Sequence, residues 1–332
     1  MSKPTIIELA RAAGVSPTTV SHAFSGRRHV EPETRDRILA LAARMGYHAN
    51  PRARRLRTGG ASTIALASSM PFSVAAGPSK LGFLMEIAAS AAVSALTRNL
   101  ALCLIPPLQP GLGLGAIEVD GAIVVEPLAD DPILSFFQER GTPVVSIGQA
   151  PGRPDIPYVE MQSTTTALIL LEHLWRPGGR IGMVTGKQRR NSYLETEEAY
   201  EAFAYEHGFA PLAIRIDETG GEEAAREAAL DLLQRHKDMD AICVPVDAFA
   251  TGVLSAAQAL GRVIPADLRI ATRYDRMRAR LAVPSLTAVD LHLDKVAERA
   301  VELLTATIEQ KVSAGPGMPP PNLIVRRSSA FP

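Results

Sequence analysis

Two hydrophobic patterns divide the chain. Up to Met45, apolar positions recur at spacings of three and four between capping signals, which predicts three short helices. Thr5 caps the first through its hydroxyl, Glu8 three residues later completes a capping box, and Gly14 stops the helix. Ser16 caps the second, with Pro17 at its first position, where a missing N–H costs nothing. The third opens near Pro32, lines up Ile38, Leu41, Ala42 and Met45, and ends at Gly46. Asn50 and Pro51 then open a very short run, RARRLR, that ends at Thr58. Its four arginines repel one another on top of a costly helix nucleus, so it is expected to fold only on a partner.

From Ser62 onward, continuous apolar runs alternate with amphipathic stretches. Strands are predicted at TIALAS (from Thr63), LALCLI (Leu100), AIVVE (Ala122), PVVSIG (Pro143), IGMVTG (Ile181), AICVPV (Ala241), LRIAT (Leu268) and LTAVD (Leu286). Helices are predicted near 80–98, 131–140, 163–175, 192–207, 222–236, 248–261 and 294–310. Uninterrupted apolar strands between helices imply parallel sheets covered on both faces. About 270 residues of this kind suit two doubly wound subdomains better than one. The fold class is α/β, with a small helical head. The loops at the carboxyl ends of the strands face a groove between the subdomains, the natural place for a ligand.

Charge sharpens the division. The 332 residues balance 35 Lys and Arg against 35 Asp and Glu, yet residues 1–58 hold eleven basic side chains and four acidic ones, a net +7, which leaves −7 on the remainder. A basic head on an acidic body suits a head that meets a polyanion. Cys103 and Cys243 stand alone inside apolar runs and read as reduced core thiols. The N-terminus lacks a secretory signal, and no apolar stretch reaches the roughly 20 residues of a membrane helix, so a cytoplasmic protein with no membrane partner is expected.

The run TIIELARAAGVSPTTVSHAFSG, from Thr5 to Gly26, resembles the helix-turn-helix of the LacI family of transcription regulators. ETRDRILALAARMGYHANPRARRLRTG resembles that family's third helix and hinge helix, and the likeness continues through TIALAS, DGAIVV and the stretch from Asp247 to Pro265. The resemblance implies a helix-turn-helix domain over 1–49, a hinge over 50–60 and an effector-binding and dimerisation core over 61–332. That core resembles periplasmic sugar-binding proteins, with a first subdomain of about 61–156 plus 286–314 and a second of about 157–285 plus 315–332. The implied partners are double-stranded DNA at a pseudo-palindromic operator, a small-molecule effector (a sugar or sugar derivative) and a second copy of the chain, with no cofactor. The run RRSSAFP from Arg326 carries no heptads, so a homodimer without a tetramer-forming tail is expected.

Carried over residue by residue, Pro17, Thr18 and His22 occupy base-reading positions, and Thr5, Thr19, Ser21 and Thr34 phosphate-contacting ones. A polar first turn can lie in the major groove with one face toward base edges. His22 stands where the family most often has Arg, and Ser25 where it has Asn, and a histidine offers one donor at a time. In the hinge, Arg52, Ala53, Arg54, Arg55, Leu56 and Arg57 match a minor-groove element in which the leucine wedges between base pairs. Leu56 packing onto the core is the other reading.

The body departs from the family's neutral-sugar clamp. The usual Asn-Asp pair reads Val246-Asp247, the helical arginine before Tyr200 falls at Thr196 or Glu197, and Asp-Asn reads Gln162-Ser163. The candidate effector residues are Ser69, Gln149, Tyr193, Asp247, Arg273 and Asp275, each at a strand end or in the loop that follows. Asp247 serves equally as a helix N-cap. Arg273 either receives an anionic group of the ligand or pairs with Asp275, and the closeness of Asp275 favours the internal pair.

Enzyme motifs fail on context. GLGLGA from Gly111 leads into a strand and not a helix, and GMVTGK ends at Lys187 with the wrong spacing for a phosphate-binding loop. The seven histidines show no metal spacing, and no serine sits in a nucleophile elbow. Catalysis is not expected. The leading reading is a DNA-binding transcription regulator, taken as a repressor, controlled by its effector; the alternative is a small-molecule-binding protein with a vestigial head.

Overall fold

The structure is a computed structural model that describes residues 5–25, 30–45, 62–75, 82–105, 117–311 and 317–330. The hinge residues Arg52, Ala53, Arg54, Arg55, Leu56 and Arg57, and the GLGLGA run, lie outside the described residues. The chain forms two compact units, Met1–Ala61 and Ser62–Pro332.

In the first unit, helices Ile6–Ala13, Pro17–Ser25 and Pro32–Met45 pack around Leu9, Ala10, Ala13, Val20, Ala23, Ile38 and Ala42. The predicted capping box is present: the Glu8 amide donates to Thr5 Oγ1 at 3.3 Å, and the Thr5 amide donates to Glu8 Oε2 at 2.7 Å. Those bonds to the Thr5 backbone and hydroxyl hold the Glu8 carboxyl below its ordinary value. Gly14 ends the first helix at φ 66°, a left-handed conformation that favours glycine. Ser16 Oγ accepts the Thr19 amide at 3.0 Å, which starts the second helix at Pro17.

The second unit holds two parallel sheets. The first has the order β2-β1-β3-β4-β5, from β1 (Thr63–Ser68), β2 (Ala101–Leu104), β3 (Gly121–Val125), β4 (Val144–Ile147) and β5 (Tyr158–Val159). The second has the order β7-β6-β8-β9, from β6 (Ile181–Gly186), β7 (Ala213–Ile216), β8 (Ala241–Val244) and β9 (Arg269–Thr272). Strand alternation explains why the runs read as wholly apolar. Ile64, Leu66, Ile123, Val125, Val145 and Ile147 enter one core cluster, while Ala65, Ala67, Ala122, Val124 and Val144 enter another on the opposite face.

Three passages connect the sheets. The chain leaves β5 through helix Ser163–Leu174, which packs against β8 and β9, and returns from β9 to β10 (Ala288–Asp290). Helix Leu293–Ile308 then covers β3, β4 and β5 and packs on helix Phe83–Thr97. Finally β11 (Asn322–Ile324) pairs antiparallel with β10 and the chain comes back to β9, where the Ile270 amide donates to the Ser328 carbonyl.

Some features differ from the sequence reading. Arg215 breaks the apolar run of β7, an edge strand, and pairs with Glu197 at 2.6 Å. β5, β11 and helix Met277–Leu281 are too short to leave a periodic signal. Cys243 is buried in β8, and burial pushes its thiol up to about 12. Cys103, by contrast, is only partly buried, because β2 is an edge strand.

Helix Asp247–Ala259 crosses helix Gly221–Arg235 at Gly252, where a Cβ would stand 2.3 Å from the Glu222 carbonyl oxygen and 2.8 Å from Ala225 Cβ. Backbone cannot yield there as a flexible side chain would, so Gly252→Ala is expected to destabilise the body by about 1–3 kcal/mol. Urea unfolding followed by circular dichroism checks this, and an unchanged midpoint counts against the close approach.

Candidate functional site

The helical unit presents its second helix outward. Pro17 and Thr18 are exposed, Thr19 and His22 half-buried, and Val20 and Ala23 face the core. Thr18 and His22 are four residues apart and so share a face. Of the remaining candidates, Thr5 is exposed at the first helix N-terminus and Thr34 half-buried in the third helix, whereas Ser21 is only 7% exposed. Short polar side chains thus lie on the side of the second helix opposite the buried Val20 and Ala23.

In the body, parallel strands bring their carboxyl ends together, and an unusual amount of buried charge collects there. Arg190, Glu218, Glu126, Asp247 and Arg273 are each 2% exposed or less. Arg190 precedes helix Asn191–Glu206 and is fully buried; its Nε donates to Glu218 Oε1 at 3.1 Å and its Nη2 to Oε2 at 3.4 Å, a two-pronged pair. Its Nη1 reaches Ser69 Oγ at 3.2 Å and the Glu126 carbonyl across the cleft. Tyr193, one of the predicted residues, donates its hydroxyl to Glu218 Oε1 at 2.7 Å. Burial, reinforced by the Glu218 charge, pushes this tyrosine well above its ordinary value, so it stays a neutral donor. For Arg190, burial is the largest single influence and opposes the charge, but Glu218, Tyr193 and Glu126 together outweigh it and raise the guanidinium above its ordinary value.

Glu126 is the counterpart on the first sheet. It follows β3 at φ 49°, a left-handed conformation that costs a non-glycine residue on the order of 1–2 kcal/mol. Ser192 Oγ donates to its Oε2 at 2.6 Å, and Arg273 Nη1 lies 3.4 Å from its Oε1. Arg273 also donates through Nη2 to Ser163 Oγ at 3.0 Å and to the Met161 carbonyl at 3.3 Å.

This corrects the expected Arg273–Asp275 pair. The chain bends at Arg273 directly after β9, which separates the two side chains despite their closeness in sequence. Arg273 turns to Glu126, and Asp275 instead receives Arg280 Nη2 at 3.0 Å and the guanidinium of Arg326. Burial pushes the Asp275 carboxyl up, but the hydrogen bonds from Arg280 and Arg326 outweigh it and leave it below its ordinary value. Asp275 therefore orders a loop.

The remaining candidates divide. Ser69 joins the cluster through Arg190, while Gln149, half-buried after β4, has no hydrogen bond to it. Asp247 opens helix Asp247–Ala259 and accepts the Ala248 amide at 2.8 Å through Oδ1, and its Oδ2 stands 3.5 Å from Arg278 Nε. Sequence reasoning missed Glu126, Arg190 and Glu218. In the text of the chain, Arg190 looks like part of a solvated run, KQRR, and the two glutamates look like loop residues; only the three-dimensional convergence of the strand ends buries them. Among the described residues no group of three or more His, Cys, Asp or Glu side chains is placed to hold a metal, and no helix is long and apolar enough to cross a membrane.

Comparison with known proteins supplies the context. Residues 5–50 match the family of bacterial regulatory proteins, lacI family, and residues 171–329 match a periplasmic binding protein-like domain, together more than half of the chain. The chain is similar to the HTH-type transcriptional regulator CelR of Thermobifida fusca, 27% identical over 330 residues and 92% of each chain. It is 26% identical over 339 residues to the HTH-type transcriptional repressor PurR of Klebsiella pneumoniae subsp. pneumoniae, covering 98% of this chain and 97% of that one. In fold it is similar to the lac repressor dimer bound to operator and the anti-inducer ONPF, with a TM-score of 0.73 at 20% identity over 99% of this chain and 100% of that one.

The environment of Asp247 generates a pH test. Burial, partly offset by Arg278, pushes its carboxyl from 3.8 to about 6. Between those values the folded state holds a proton that the unfolded state has released, so this group's contribution to stability falls as pH rises through that window. Asp247→Asn has no proton to lose. Its stability relative to wild type is expected to improve from pH 4 to pH 6.5, levelling off at about 3 kcal/mol. Urea titrations across that range measure the difference, and a flat one would remove Asp247 from the buried-charge account.

Proposed function

The chain belongs to the lacI family of bacterial regulatory proteins, and from that premise we propose that it is a transcriptional repressor that acts in the cytoplasm as a homodimer on a pseudo-palindromic operator, released or recruited by a small molecule in the body's cleft. The observation that carries this reading is the capped helix pair of the head, with the outward face of Pro17, Thr18 and His22. In this reading those three side chains meet base edges, Thr5, Thr19, Ser21 and Thr34 meet phosphates, and Arg52, Ala53, Arg54, Arg55, Leu56 and Arg57 enter the minor groove. The head spans 1–49, the hinge 50–60 and the effector-binding core 61–332.

For the effector we retain Ser69, Tyr193, Asp247 and Arg273, add Glu126, Arg190 and Glu218, and give Asp275 a loop-ordering role. CelR is known in complex with cellobiose, and that structure resembles this chain at a TM-score of 0.67 and 24% identity over 98% of this chain and 99% of that one. A hydroxylated small molecule suits the mixture of buried carboxylates, hydroxyls and guanidiniums in the cleft here.

His22→Ala or Thr18→Ala is expected to cost about 1–3 kcal/mol on the cognate operator and little on random DNA, whereas Arg54→Ala weakens both. Gel-shift titrations at several salt concentrations check this. A regulator loses affinity steeply with added salt because neutralised phosphates release counterions, and a head with no salt-dependent DNA binding would favour the vestigial alternative.

Assembly gives a separate test. One recognition helix buries little surface, and two-fold pairing of heads on a two-fold site is the common solution. Sedimentation of the full-length protein should therefore show a dimer at micromolar concentration; a monomer that binds one copy per site contradicts this.

A further inference from the structure

Among the buried atoms without a hydrogen-bond partner, Arg273 Nε is an unused donor, and Asp247 Oδ2 makes no hydrogen bond although Arg278 Nε faces it as an ion-pair partner at 3.5 Å. The two residues are each 2% exposed and follow adjacent parallel strands, β9 and β8, whose backbones lie about 5 Å apart. Arg273 is poorly served by its present partner, since Glu126 offers one oxygen to one nitrogen at 3.4 Å. A guanidinium suits a carboxylate best when two parallel N–H groups meet its two oxygens. The other carboxylate that acts on Arg273, Glu195, is held by Asn191, whose side-chain amide donates to its Oε1 at 2.6 Å. Glu126, meanwhile, is held at a left-handed φ of 49° with Ser192 at 2.6 Å on its other oxygen.

We propose that Arg273 and Ser192 form a carboxylate seat which the chain's own Glu126 side chain fills in this structure, and that the effector is a hydroxy acid whose carboxylate displaces Glu126 while one of its hydroxyls donates to Asp247 Oδ2 beside Arg278. This rests on the cleft being the effector site. The incoming carboxylate takes the place of the Glu126 carboxylate at Arg273 Nη1 and Ser192 Oγ, and a neutral sugar leaves Glu126 where it is. No covalent change is involved; one anion exchanges for another at a buried cation, so the cleft never holds the guanidinium bare.

The test uses the full-length protein, with sodium acetate and sodium D-glucuronate as probes and sodium chloride at equal ionic strength as reference. Glu126→Ala empties the seat. Acetate is expected to raise the melting midpoint of that variant saturably and beyond chloride, because a ligand that binds only the folded form shifts the transition. Adding Arg273→Met should abolish the difference. The nearly isosteric Glu126→Gln serves should the alanine variant not fold, and calorimetry should show D-glucuronate bound about tenfold more tightly to it than to wild type, with D-glucose unaffected. Acetate acting equally with and without Arg273, or D-glucuronate binding Glu126→Gln no better than wild type, would overturn the seat. None of these readouts involves DNA, so failure of the regulator reading is scored separately by the operator titrations.

Discussion

Charges buried where two sheets meet must be neutralised there, and that constraint organises the body. Arg190 and Glu218 form a pair with almost no solvent access on either side chain, and Arg273 faces Glu126 in the same way. Leaving either guanidinium unpaired in the interior costs several kcal/mol, far more than a surface ion pair contributes. The groups come from both sheets: Glu126 and Ser69 follow strands of the first, and Arg190, Ser192 and Arg273 follow strands of the second. Separating the two sheets therefore requires another partner for each charge, water or a ligand.

That requirement links the cleft to its role as a control point. A ligand shifts a two-state equilibrium only through its different affinities for the two states. A cleft lined by apolar side chains offers modest differences between open and closed forms, because water tolerates either arrangement at a cost that grows slowly with area. Buried guanidiniums and carboxylates make a steeper device, since a single displaced oxygen changes the partners of a charge. The strained Glu126 backbone belongs to the same account, for a left-handed glutamate persists only where its surroundings over-determine it.

The scaffold was legible in the sequence because its signals are local. Capping residues Thr5, Glu8 and Ser16 determine where helices begin, and continuous apolar runs such as TIALAS and IGMVTG mark strands covered on both faces. Short or interrupted elements were lost, as in β7, where Arg215 lies at a sheet edge that only the topology defines. The candidate site was legible in part. Strand ends singled out Ser69, Tyr193, Asp247 and Arg273, because the loops after parallel strands share one side of a sheet.

What escaped was pairing, and the reason is physical. Sequence proximity favoured Asp275 for Arg273, but a bend after β9 cancels a separation of two residues, while folding brings Glu126 across 147 residues to the same guanidinium. Charge partners in a closed cleft are chosen by where backbones end, and that is a long-range property. Asp275 shows the complementary case: released from Arg273, it binds Arg280 five residues on and Arg326 near the chain's final return, so one carboxylate joins the loop after β9 to the segment that comes back beside it. The loop that presents Arg273 to the cleft is thus held by an ion pair that takes no part in the cleft itself, and a change at Arg280 or Arg326 would reach the ligand site through the backbone of that loop instead of through any contact with the ligand.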